Sequence, residues 1–221
     1  MRILLLGAII ASAYGGYTAI RHKAPLFYTI LCLAMISCLM GCVYSVLYDV
    51  LWISGDTGFH VGYLGFAGMF FFLFSSYYGA IDSLADGGEP ALRTYRILAG
   101  GVALVHFAVS VCGVALLHKG WWLLVLIVPM SGTLYFAVKH LLIPDVEMGI
   151  IRVLRPYNAL VCVLCVGMML FVLTGGISGL YTACSVVCAV LLIVSIKQYV
   201  KCLRKYAILN LSMMVRRQCL Q

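Results

Sequence analysis

Seven apolar stretches run through this 221-residue chain, at 3–20, 26–48, 63–81, 94–117, 121–139, 157–174 and 177–197. Most reach the roughly 17 to 25 residues that a helix needs to cross a bilayer. None alternates with a period of two in ten-residue units, as the strands of a membrane β-barrel do. With 64% hydrophobic and 10% charged residues, the chain lies far from a soluble domain's mix of about half apolar and about a quarter charged. The predicted fold is therefore all-α, a polytopic membrane helix bundle of seven transmembrane helices over 1–200, followed by a basic tail at 201–221. The connecting stretches leave no room for a soluble domain.

Positive residues collect in cytoplasmic loops, because translocating Lys or Arg is disfavoured. With seven spans, Arg21, Lys23, Arg93, Arg96, Lys139, Arg152, Arg155, Lys197, Lys201, Arg204, Lys205, Arg216 and Arg217 fall on one side, opposed by Arg2 and Lys119. This predicts an outside N-terminus and a cytoplasmic C-terminus, in the plasma membrane. Trp52, Trp121 and Trp122 then all lie at the outer interface, where an amphipathic indole is favoured. A net charge of +8 would suggest nucleic acid in a soluble protein. Here it follows from topology and from contact with anionic lipid head groups, so no nucleic-acid partner is expected.

Arg2, the apolar run after it and Ala11-Ser12-Ala13 also fit a signal peptide with its cleavage site. A retained helix is the preferred reading, since the run continues through Ile20 to the basic stop Arg21-His22-Lys23. Eight of the ten cysteines fall inside spans, and Cys202 and Cys219 fall in the tail. No outer-loop disulfide framework is expected from that placement. Cys162 and Cys165 share a helix face without the basic neighbours that activate a thiol, and no His or carboxylate lies near them to complete a metal set. Neither a metal nor another cofactor is implied.

Pro144-Asp145 opens a short helix to about Arg155, with acids first and bases last as the helix dipole favours. It either lies along the inner interface or extends the sixth span inward. In the tail, bases alternate with Leu203, Ile208, Leu211 and Val215. That pattern fits an interfacial helix on anionic lipid, and its alternative is a docking segment for a cytoplasmic protein.

Ionisable side chains at membrane depth are costly, so each is a candidate functional residue. His106 alone lies near the midplane, about 18 Å from the inner end of the fourth span at 1.5 Å per residue. It shares a helical stripe with Ala99, Ala103, Ser110 and Gly113; small residues admit another helix closely, so this stripe is expected to face the bundle. Counting inward along the other spans places Cys38, Met69, Met130, Ser131, Cys165 and Ser185 at the same depth. In the fifth span Pro129 cannot donate to the carbonyl of Val125, leaving an acceptor for His106 or a polar ligand. The plainer account of His106 is a neutral imidazole in one interhelical hydrogen bond.

A second constellation, Ser75, Tyr78, Gly79 and Asp82, recurs at helical spacing on the third span, with Gly65, Gly68 and Phe72 extending it outward. It reads either as a packing face ending in a solvated acid or as the polar rim of a site open to the cytoplasm. Asp49 ends a similar stripe of Ser37, Gly41 and Ser45. Ligand-binding candidates are thus His106, Ser110, Ser131, Ser75, Tyr78 and Asp82.

The chain carries no Walker or dinucleotide glycine pattern, no HExxH, no GxSxG and no paired acids at membrane depth. Soluble-style hydrolysis and ion-driven pumping lack their parts, and a retinal Schiff base has no mid-depth lysine. No catalytic residues are expected. The favoured reading is a small receptor or sensor-like subunit that binds a neutral or lipidic ligand within the bundle. A facilitative transporter or channel for a small neutral solute is the alternative, and a lipid-modifying enzyme is the third.

Overall fold

In a computed structural model, the structure describes residues 1–21, 26–51, 59–81, 90–144, 150–175 and 178–219, with side chains for all of these except 27, 80, 81, 150–153, 178 and 202–219. The described residues form an all-helical bundle of seven main helices without strands. These are α1 (Arg2–Arg21), α2 (Leu26–Leu51), α3 (Gly62–Ser76), α4 (Arg93–Leu116), α5 (Leu124–Leu142), α6 (Ile150–Leu173) and α7 (Ser178–Cys219). All but α3 are long and apolar enough to cross a membrane. The 15 α-helical residues of α3 are continued by a π-helical turn, Tyr77–Ile81. This is the architecture of an integral membrane protein.

Sequential helices joined by short connections pack as neighbours, with the exception of α3 and α4. The chain closes a six-membered ring in the order α1, α2, α3, α5, α6, α7 and back to α1, while α4 stands outside it against α5 and along an edge of α6. Only 22% of α4's span is buried, against 56% for α5, so α5 is the hub and α4 a peripheral strut. The reason is steric. The inward face of α3 carries Phe66, Phe70, Leu73 and Tyr77, and α5 answers with Met130, Thr133, Phe136 and Ala137, bulky residues that fill the seam and leave α4 no place in the ring.

The closest helix pair is α2 with α3, antiparallel. A methyl on Gly65 would lie 2.7 Å from the carbonyl oxygen of Ser37 and run into the Gly41 backbone, and one on Gly41 would lie 2.7 Å from the Gly62 carbonyl. Ser37 Oγ donates across this seam to the Gly65 carbonyl at 3.0 Å. In lipid no hydrophobic force joins helices, so close backbone approach and such hydrogen bonds hold them. The α1/α7 contact repeats the device, with Gly7 against Ala189.

Two helices run further than the apolar pattern alone sets. The chain from Ile150 is continuous with the sixth span through Pro156, so the described part of the short inner helix is an inward extension of α6; Asp145–Gly149 lies outside the described residues. The backbone of the basic tail likewise continues α7 to Cys219. At the opposite end, α4 finishes at Leu116, two residues before His118, which among the described residues is the one non-glycine with positive φ, 49°. Lys119 N donates there to the Val114 carbonyl at 2.9 Å, closing the helix before the turn into α5.

Candidate functional site

Depth counting brings His106 of α4 and Ser131 of α5 together: His106 Nδ1 lies 3.0 Å from Ser131 Oγ. Both are buried, as are Ala99 and Ser110 on the same α4 stripe. The Val125 carbonyl is therefore not the partner His106 takes. Instead, α5 uses Thr133 near its proline, with Oγ1 2.8 Å from the Pro129 carbonyl and 3.1 Å from the Phe70 carbonyl of α3. His106 Nε2 is buried without a hydrogen bond of good geometry, although the Cys165 backbone on α6 lies beside it. Ser110 Oγ is placed to donate to the His106 carbonyl at 2.6 Å or to Met169 Sδ of α6 at 2.7 Å. Outward from Ser110 runs a narrow apolar cleft between α4, α5 and α6, lined by Leu126, Met130, Met169, Val172 and Leu173. Three of the candidate residues thus share one seam, at the only place where a peripheral helix meets the ring.

The second constellation does not assemble. Ser75 and Tyr78 are exposed on the outer surface of α3, Tyr78 at 68%, while Gly65 and Gly68 face α2. Steps of three residues fall about 60° short of a full helical turn, so a stripe built from them winds off the face on which it began. Tyr78 stacks on Phe74, with centroids 6.2 Å apart, and meets only the edge of Phe136 of α5 at 6.3 Å, so most of its ring stays on the surface. Asp82 lies outside the described residues.

A polar cluster that the sequence reading missed occupies the end of the ring that the charge distribution predicts to be the inner one. Tyr77 OH donates to Asn158 Oδ1 at 2.8 Å, both side chains fully buried. The Tyr77 ring stacks on Phe136 at 6.2 Å, His140 at 5.8 Å and Tyr157 at 6.2 Å. Tyr157 meets Tyr199 edge-on at 4.9 Å, and Tyr199 stacks on Tyr28. Lys139 is only 2% exposed, its Nζ 5.2 Å from the centre of the Phe136 ring and 5.7 Å from that of Tyr135. Five helices meet here, and α5 supplies the two basic side chains. The available signal was the recurrence of Tyr28, Tyr77, Tyr157 and Tyr199 near inner span ends, which is also what an interfacial tyrosine belt looks like.

At the other end, aromatic rings form a row across α2, α3 and the start of α5. His60 stacks between Tyr48 at 4.9 Å and Tyr63 at 4.1 Å, and Tyr63 lies against Trp122 at 4.3 Å. Burial holds the His60 imidazole below its ordinary pKa, with the Asp49 carboxylate pulling the other way. Trp121 is exposed beside Trp122, as an interfacial tryptophan should be; Trp52 lies outside the described residues. A largely apolar groove beside this row is lined by Tyr44, Leu47, Tyr48, Leu51, Phe59 and His60.

The described Lys, Arg, Asp and Glu side chains all sit towards the two ends of the bundle, and among the described residues no group of three or more His, Cys, Asp or Glu is arranged to hold a metal ion. The eight cysteines within the spans are free thiols. Chemically, the mid-depth seam can offer one imidazole, two hydroxyls and a thioether in an apolar surround, which suits a neutral group. Comparison with protein-family models, with curated proteins and with solved structures finds no match.

Proposed function

We propose that this chain is a small receptor or sensor-like membrane subunit that takes a neutral or lipidic ligand at the α4–α5–α6 seam, beside His106, Ser110 and Ser131. The observation that carries the reading is the position of α5. This helix holds Ser131 at mid-depth and Lys139 and His140 in the inner cluster, and it packs on α3, α4 and α6. A ligand that spreads α4 from α6 acts on α5, and α5 moves the inner end. Occupancy is thereby converted into a change at the basic face, with the C-terminus cytoplasmic. That face and the tail engage anionic lipid head groups and a cytoplasmic protein that supplies the output.

A neutral ligand follows from energetics. A charge brought to this depth would meet no opposite charge among the described residues, and an uncompensated charge in hydrocarbon costs several kcal/mol. The ring interior is filled by Phe66, Met69, Phe70, Cys165, Met168 and Cys188, which argues against a polar path for solute. Liposomes carrying the purified protein test this: no flux of glycerol, urea or a hexose above protein-free liposomes is expected. Specific flux of any of them would replace the sensor reading with a facilitative transporter.

A further inference from the structure

The inner end of α3 leaves the α-helical register directly after its best-anchored residue. Ser76 Oγ donates to the Leu73 carbonyl at 2.7 Å, the same carbonyl that accepts the Tyr77 N–H. A serine bonded back onto its own helix loosens and bends it. Two residues after Tyr77 comes Gly79, around which a Cβ would meet nothing within 4 Å, so the glycine is not there to admit a neighbour. It lowers the preference for regular α-helix at that point. The turn Tyr77–Ile81 is π-helical, a weak arrangement that persists only where its surroundings hold it and that recurs at functional sites.

The holding contacts come from other helices. Tyr77 OH reaches Asn158 of α6 at 2.8 Å, and its ring is stacked against Phe136 and His140 of α5 and Tyr157 of α6. The bond is incomplete, since Asn158 Nδ2 is wholly buried with no acceptor. A buried amide with one end unsatisfied weakens the closed arrangement relative to alternatives. A single buried bond between α3 and α6 therefore stands against a locally unfavoured backbone, which is the composition of a two-state element.

We propose that Tyr77 and Asn158 form a latch that holds the inner end of α3 in its π register, and that this end rewinds as α-helix when the latch opens. Absorbing the extra residue of a π turn rotates whatever follows by about 100°, one residue's worth of helix. The latch joins α6 to α3 directly and does not depend on where, or whether, a ligand binds at mid-depth.

Backbone chemical shifts of Tyr77–Ile81, read by solid-state NMR on the full chain in lipid bilayers, test it. The unmodified protein is expected to show a predominant π-register set. Tyr77→Phe, which keeps the ring stack, and Asn158→Leu should each raise the ratio of α to π register about tenfold, the scale of one buried hydrogen bond. The double variant should go no further than either single change, since both remove the same bond. An unchanged π-register set in both variants overturns the latch. Should those variants not fold, Gly79→Ala, whose methyl has open space, should shift the ratio towards α several-fold; an unchanged ratio there also overturns it.

Discussion

Ser131 is what makes an imidazole tolerable at the depth of His106. The 3.0 Å contact between them satisfies one ring nitrogen, and removing the hydroxyl leaves that nitrogen buried in an apolar seam. Ser131→Ala is expected to destabilise the protein by about 1–3 kcal/mol, the cost of orphaning a buried polar group. In a double-mutant cycle with His106→Leu, the pair should show a coupling of roughly 0.6–1.7 kcal/mol in detergent unfolding, the range for interhelical hydrogen bonds in membranes. Additive losses would mean that the two side chains do not interact. His106 and Ser131 were legible because depth along a span is simple arithmetic. Ser75 and Tyr78 lie on the exposed side of their helix, and Tyr77, one position away, carries the burial. At the bundle's other end, His60 sets a pH dependence. Burial lowers its pKa in the folded state, so its contribution to stability is complete above the ordinary value of about 6.5. It is lost progressively as pH falls below that value, because the unfolded chain takes the proton first. Melting temperature should therefore fall between pH 7.5 and pH 5.5, and His60→Gln should flatten that fall; an equal fall in the variant assigns it to another group.

At the scale of helices, stability concentrates where glycines let backbones touch. Gly65→Leu on α3 would drive a side chain into Gly41 and Ser37, and overpacking of this kind typically costs 1–3 kcal/mol or more. It should abolish folded protein on size-exclusion chromatography. Gly101→Ala on α4 has open space around its new methyl and should leave the elution profile unchanged; the opposite pattern would mean that α4, not α3, is the packed helix. The number and approximate limits of the helices were readable because spanning helices must bury their own backbone polar groups over a fixed thickness. Their neighbours were too, for every sequential pair but α3 and α4. A short connection constrains distance, yet α3 takes α5 as its ring neighbour while α4 stands aside, and that choice depends on matching Phe70 and Tyr77 with Thr133 and Phe136. Apolar periodicity is also blind to the difference between a face against lipid and a face against another helix, since both are apolar. For that reason α4, whose outward face carries Leu104, Val105 and Val109, reads like any other span.

The whole molecule is a closed ring of six helices with one strut, α4, docked on its most buried member, α5. Peripheral α4 packs on α5 and an edge of α6 and covers the seam at His106, Ser110 and Ser131, and α5 links that seam to the cluster of Tyr77, Lys139, His140 and Asn158. The charge asymmetry predicts an outside-to-inside path with that cluster towards the cytoplasm; a reporter fused after Gln221 should be active only in the cytoplasm. The most direct test of the central claim is mass spectrometry of the lipids that stay with the protein through purification in mild detergent. Wild type is expected to retain a neutral lipid at a fixed ratio, and the folded fraction of Ser131→Ala, which takes the hydroxyl out of the seam without adding bulk, should retain less of it. Identical lipid content in the two proteins would contradict the ligand site at His106, Ser110 and Ser131.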